Sequence, residues 1–125
     1  MTVQFTIEGR LPGINEYVLA ERGNRYNGAK LKKTSQRTVE YYIQAARLPR
    51  VRTPIRIVYT FFEKDRRRDK DNIAGFAHKV IQDALVEQRI IDDDGWREIS
   101  GWTDAFAVDK ERPRIEVTLI EIGEG

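Results

Sequence analysis

An α+β domain, with a mixed or antiparallel β-sheet and two main helices packed on it, is the fold class this sequence predicts. Three observations lead there. Apolar and polar residues alternate with the period of a strand around 3–8, 55–61 and 115–119, apolar residues recur at helical spacing around 39–46 and 73–85, and 125 residues suffice for one well-buried core but not two. Residues 1–125 are therefore read as a single domain.

The first strand rests on Val3, Phe5 and Ile7 alternating with polar neighbours. Leu11-Pro12-Gly13 follows, then a polar stretch from Asn15 to Lys33 in which Gly23-Asn24 and Asn27-Gly28 are turn signals, so that a functional loop is expected there. Thr34 or Ser35 is a suitable N-cap for a first helix carrying Val39, Tyr42, Ile43 and Ala46 until Pro49 stops it. Ile55, Ile57, Tyr59 and Phe61 predict the second strand. Ile73, Phe76, Ala77, Val80, Ile81, Ala84 and Leu85 predict the second helix, capped by Asp71 or Asn72, with Asn72, Gly75, Lys79 and Gln82 turned away from the sheet. Beyond Ile90-Ile91 an acidic run and Gly95 predict a tight turn, Trp96 to Val108 holds another strand, and Ile115, Val117 and Leu119 close the domain.

Composition narrows the chemistry. The chain has no cysteine, which excludes disulfides, thiolate metal sites and a cysteine nucleophile and suits a reducing compartment. No leader-like n-region or apolar h-region opens it, and no apolar run approaches the roughly 20 residues that span a bilayer, so a cytoplasmic protein without membrane contact is expected. The formal charge of +2 conceals separation. Lys30, Lys32 and Lys33, then Arg47, Arg50 and Arg52, then Arg66, Arg67 and Arg68 stand against acids gathered at 69–71 and 92–94, a layout suited to a basic groove with an acidic floor.

Asp69-Lys70-Asp71-Asn72 directly behind the arginine triplet is the most informative segment. On an extended backbone Asp69 and Asp71 would face one way and Lys70 the other, giving two carboxylates able to share a divalent cation at a helix start, where the dipole favours anions. Asp92-Asp93-Asp94 could close such a site. Hard cations such as Mg²⁺ or Mn²⁺ take carboxylate oxygens, and phosphodiesters take arginines. A calcium loop is excluded because Ile73 and Ala74 stand where an oxygen donor and a glycine are required. Together these residues point to metal-dependent chemistry on nucleic acid.

The combination Arg-Arg-Arg-Asp-Lys-Asp-Asn-Ile, then Lys79-Val-Ile-Gln-Asp-Ala-Leu85, then Ile90-Ile-Asp-Asp-Asp-Gly-Trp96 resembles the RusA family of Holliday junction resolvases. Leu11-Pro12-Gly13-Ile14-Asn15-Glu16-Tyr17 and Pro113-Arg-Ile-Glu-Val-Thr-Leu are similar to that family's opening segment and closing strand, so the resemblance covers nearly the whole chain. It implies a Mg²⁺-dependent endodeoxyribonuclease of phage or prophage type that acts as a homodimer on four-way junctions in DNA recombination and repair. It also implies that Asp69, Asp71 and Asp94 are the metal-binding, catalytic carboxylates, with Asp93 the alternative to Asp94 because three aspartates run together. The family's catalytic lysine would fall at Gly75; counting back from Asp83-Ala-Leu85 places Lys79 in that role, four residues later and roughly on the same helix face. An ion pair of Lys79 with Asp83 is the competing reading.

Around this centre, Lys30, Lys32 and Lys33 interleaved with Tyr17 and Tyr26, together with Arg66, Arg67 and Arg68, are the candidate DNA contacts. Trp96 and Trp102 either stack on splayed bases or belong to the core. His78, the only histidine, is expected on the polar side of its helix. A non-catalytic branched-DNA-binding protein is the alternative function, and a phosphotransferase lacks the Gly-rich phosphate loop it would need.

Overall fold

Each alternating segment forms a strand, and the segment after the acidic run adds a fourth. In the computed structural model, which describes residues 1–123, these are β1 (Thr2–Glu8), β2 (Ile55–Glu63), β3 (Ile99–Val108) and β4 (Arg114–Glu121). They pair in the order β1-β4-β2-β3, with β4 antiparallel to β1 and β2, and β3 parallel to β2, so the sheet is mixed. Phe5 lies opposite Val117 and Val117 opposite Tyr59. This register gathers Phe5, Ile7, Ile57, Tyr59, Phe61, Ile115, Val117 and Leu119 into the buried core, as a period of two requires.

Three helices accompany the sheet, α1 (Ile14–Gly23), α2 (Arg25–Ala45) and α3 (Lys70–Glu87), with α1 packed on α2 and α3. In α3 the seven apolar residues at helical spacing, with Ala74, are all buried, and each large one is worth roughly 1.5–3 kcal/mol of transfer free energy. α2 contributes Val39 and Ile43 to the same core.

The stretch expected as a loop, Asn15 to Lys33, is helical instead, which makes three helices where two were expected. Its glycines and asparagines act as helix punctuation and as contact points. Gly23 ends α1, and the Asn24 side chain accepts a hydrogen bond from the Tyr26 N–H at 2.8 Å to cap α2. Gly28 is buried where α2 crosses α1; a Cβ there would lie 2.3 Å from the Glu21 side chain. Ser35, the expected cap, lies buried inside α2. Gln82 departs from expectation too: it is buried and donates to the Tyr59 hydroxyl at 3.0 Å. Burial pushes the Tyr59 phenol well above its ordinary range, so it stays protonated.

β3 is an edge strand, paired with β2 alone among the described residues. No helix among them is long and apolar enough to cross a membrane.

Candidate metal and nucleic-acid site

β2 ends at Glu63 and α3 begins at Lys70, and the short connection between them carries the arginine triplet. Asp69 itself is the N-cap of α3, two or three residues before the expected cap, with extended φ −68° and ψ 155°. Its side chain makes no capping hydrogen bond. Lys70 and Asp71 are already helical, so the alternation of faces expected from an extended backbone does not apply. Asp69 and Asp71 nevertheless line one cavity of about 810 Å³, because N-cap and first-turn side chains both fan out around a helix start. Arg66 and Lys70 share that cavity, and β3 adds Phe106, Ala107 and Val108 to its lining.

Arg68 has a different task from the one expected of it. Its Nε and Nη2 donate to the two oxygens of Glu63 at 3.0 and 2.8 Å, and its Nη1 donates to the Leu11 carbonyl at 3.0 Å. Glu63 is buried, and Arg10 adds a contact at 3.6 Å. This bidentate pair ties the end of β2 to the segment before α1 and leaves Arg68 few donors for phosphate. Arg67 is fully outside, 3.6 Å from Asp65. Arg66 is exposed at the cavity rim, which makes it the triplet member placed for a phosphate contact.

Asn72 joins the two sequence motifs physically. Its Oδ1 accepts the Asn15 N–H at 2.9 Å, capping α1 from across the fold, while Glu16 accepts the Gly13 N–H at 3.1 Å. Gly13 is close packed against this cap: a Cβ would lie 2.6 Å from Asn72 Oδ1. Tyr17, expected on DNA, instead stacks on Phe76 with centroids 4.9 Å apart and donates to Glu21 at 3.1 Å. Burial first, and Glu21 second, raise its phenol above the usual range.

Asp94 and Lys79 form a second group. Lys79 Nζ lies 3.3 Å from Asp83 and 3.9 Å from Asp94, and Lys32 Nζ contacts the other Asp83 oxygen at 2.7 Å. The ion pair of Lys79 with Asp83 is therefore present, and Lys79 remains 63% exposed. Position 75 faces α1, where a Cβ would stand 3.4 Å from that of Ile14; a lysine one turn later avoids that obstruction. Lys79 follows Asp71 by eight residues, about 12 Å along the helix axis. Asp94 does not line the cavity of Asp69 and Asp71, and among the described residues no three Asp, Glu or His side chains are grouped to hold one metal ion. Asp93 is exposed and accepts the Asp94 N–H at 2.8 Å, and Asp92 pairs with Arg50.

Lys30 and Lys33 are exposed on α2, and Lys32 and Lys33 line a smaller cavity with Arg37 and Glu87. These lysines thus form a helical basic face rather than a loop. His78 is half-buried against Tyr59 and Trp102, its Nε2 2.7 Å from Asp104 on β3. Trp96 is fully exposed and Trp102 46% exposed, so neither belongs to the core. Glu63 and Phe106 escaped the sequence reading. Glu63 continues the β2 alternation at an inward position, which flags a buried charge needing a partner; Phe106 had no signal beyond lying in a strand.

No protein-family model matches the chain, and no curated protein matches it.

Proposed function

We propose that this chain is a divalent-metal-dependent endonuclease of branched DNA that nicks four-way junctions as a homodimer. The observation that carries the reading is the pair of exposed carboxylates, Asp69 and Asp71, on one cavity with the exposed cations Arg66 and Lys70. The resemblance of the whole chain to RusA-type resolvases supports it. Mg²⁺ is commonly held by one or two carboxylates, with waters and substrate phosphates completing its shell, so Asp69 and Asp71 fit Mg²⁺ or Mn²⁺ as hard-oxygen ligands. Such an ion supplies an activated water and neutralises charge at the phosphodiester. Arg66 and Lys70 bind the phosphate, and the α3 N-terminus adds its positive dipole end to the same place. The Glu63–Arg68 pair fixes the connection that carries these residues. A four-way junction requires two symmetric nicks, which a two-fold dimer provides.

The test is cleavage of a synthetic four-way junction with Mg²⁺, against linear duplex and a chelator control. Metal-dependent nicking confined to the junction is the expected result. Junction binding without any nicking would instead make this a non-catalytic branched-DNA-binding protein.

Lys79 tests the second group. If its ammonium reaches a phosphate oxygen when DNA is bound, Lys79→Ala should lower single-turnover nicking by about 10²-fold with a smaller change in affinity. Lys79→Arg should restore binding better than rate, since a planar guanidinium does not replace a compact ammonium. An unchanged rate in Lys79→Ala would confine the lysine to its pairing with Asp83.

A further inference from the structure

One aromatic side chain, Phe106 of β3, lines the cavity of the carboxylates and has no assigned role. Phe106 packs in parallel on Phe61, with centroids 5.3 Å apart and planes 15° apart, so one side of its ring is anchored to the core. The Lys70 ammonium stands over the ring, 5.6 Å from its centroid. Lys70 is exposed, and a cation on a flexible stem can leave an aromatic face for a phosphate at little cost. Phe106 and Lys70 both line the cavity of about 810 Å³ that holds Asp69 and Asp71, a size in the range of sites that enclose small planar ligands. β3 is the sheet edge, so backbone groups on its free side have no strand partner among the described residues and can bond a ligand's rim.

We infer that Phe106 is the stacking platform for one unpaired nucleobase, held against β3 while its phosphate lies on Lys70 and Arg66 beside Asp69 and Asp71. The inference rests on the endonuclease reading and deepens it by naming what the site recognises. A base inside a duplex offers only its edges, since both faces are covered by its neighbours. A base at a junction crossover or a flap offers a face. The cavity therefore selects DNA whose stack is already broken. An aromatic side chain of a protein partner would fit the ring but would leave Arg66 and Lys70 without the anion this cavity is charged to hold.

The experiment measures binding in the presence of a chelator, so that no chemistry intervenes. Four-way junctions carrying one abasic residue at successive positions around the crossover are titrated with the wild-type chain, Phe106→Leu and Phe106→Trp. In the wild type, one position should stand out, its abasic form binding roughly 10-fold more weakly. Phe106→Leu should bind intact junction as weakly as the wild type binds the abasic one, and should be indifferent to base removal there. Phe106→Trp should keep the sensitivity, which a packing role against Phe61 would not require. Sensitivity to base removal that persists in Phe106→Leu, or equal tolerance at every position in the wild type, overturns the inference. In either case metal-dependent nicking of the intact junction still reports separately on the endonuclease reading, and an absence of nicking with the base effect intact would overturn that reading alone.

Discussion

Asp69→Asn and Asp71→Asn are each expected to slow junction nicking by about 10³-fold, the equivalent of several kcal/mol of lost charge stabilisation. Both carboxylates are exposed, that of Asp69 makes no capping hydrogen bond, that of Asp71 accepts the Asn72 N–H at 2.9 Å, and both line the cavity with Arg66 and Lys70. An amide keeps the shape of the side chain and removes the charge that a hard cation requires. Affinity for the junction should hold or rise in the chelated state, because phosphate contacts are made by cations and a nearby negative charge opposes them. Gel-shift titration in chelator and single-turnover nicking in Mg²⁺ separate the two effects. Wild-type nicking in either variant would remove that aspartate from the site. The same pair of assays on Asp94→Asn and Asp93→Asn reads whether the Lys79 group takes part in the chemistry or stands apart from it.

The second large effect is on stability. Glu63→Ala should destabilise the fold by about 3–5 kcal/mol, since removing one partner strands the other charge in a poorly solvated place. Glu63 and Arg68 side chains are only 7% and 14% exposed, and the guanidinium makes two bonds to that carboxylate against one to the Leu11 carbonyl. The midpoint of thermal unfolding should fall by roughly 10–25 °C for a domain of this size. Glu63→Gln should cost less, as it keeps an acceptor for Arg68. A shift of only a few degrees in Glu63→Ala would mean that Arg68 finds water or Asp65 instead, and that the pair does not fix the connection before α3.

Much of this architecture was legible in the pattern of apolar residues. The inward positions of β1, β2 and β4 and the apolar face of α3 follow directly from their periods, because burial on one face is what those periods record. The stretch from Asn15 to Lys33 hides its helices for a physical reason. Glycine and asparagine look the same in sequence whether they end a helix, cap one, or let two helices touch, and Gly23, Asn24 and Gly28 do these three things in turn. The site was legible in part. Asp69 and Asp71 stand at a helix start and line one cavity, with Asp71 already helical rather than on the extended backbone that the alternation argument assumed. That Arg68 would be consumed by Glu63, Tyr17 by Phe76, and Lys32 by Asp83 depends on contacts between segments remote in the chain, which no local pattern encodes.

The cap that Asn72 provides to α1 cannot form until residue 72 has been made. The bond from Asn15 to Asn72 joins residues 57 apart in the chain, and Asn72 sits directly beside Asp71. The turn that presents the carboxylates is thus braced by a segment made long before it and docked only after it emerges. A chain still leaving the ribosome holds residues 13–17 without their partner, and then has the acidic turn before β3 and β4 exist to complete the sheet beneath it. A fold built this way gathers its charged groups as a late event, so that a partly made copy has the residues of the candidate site without the site.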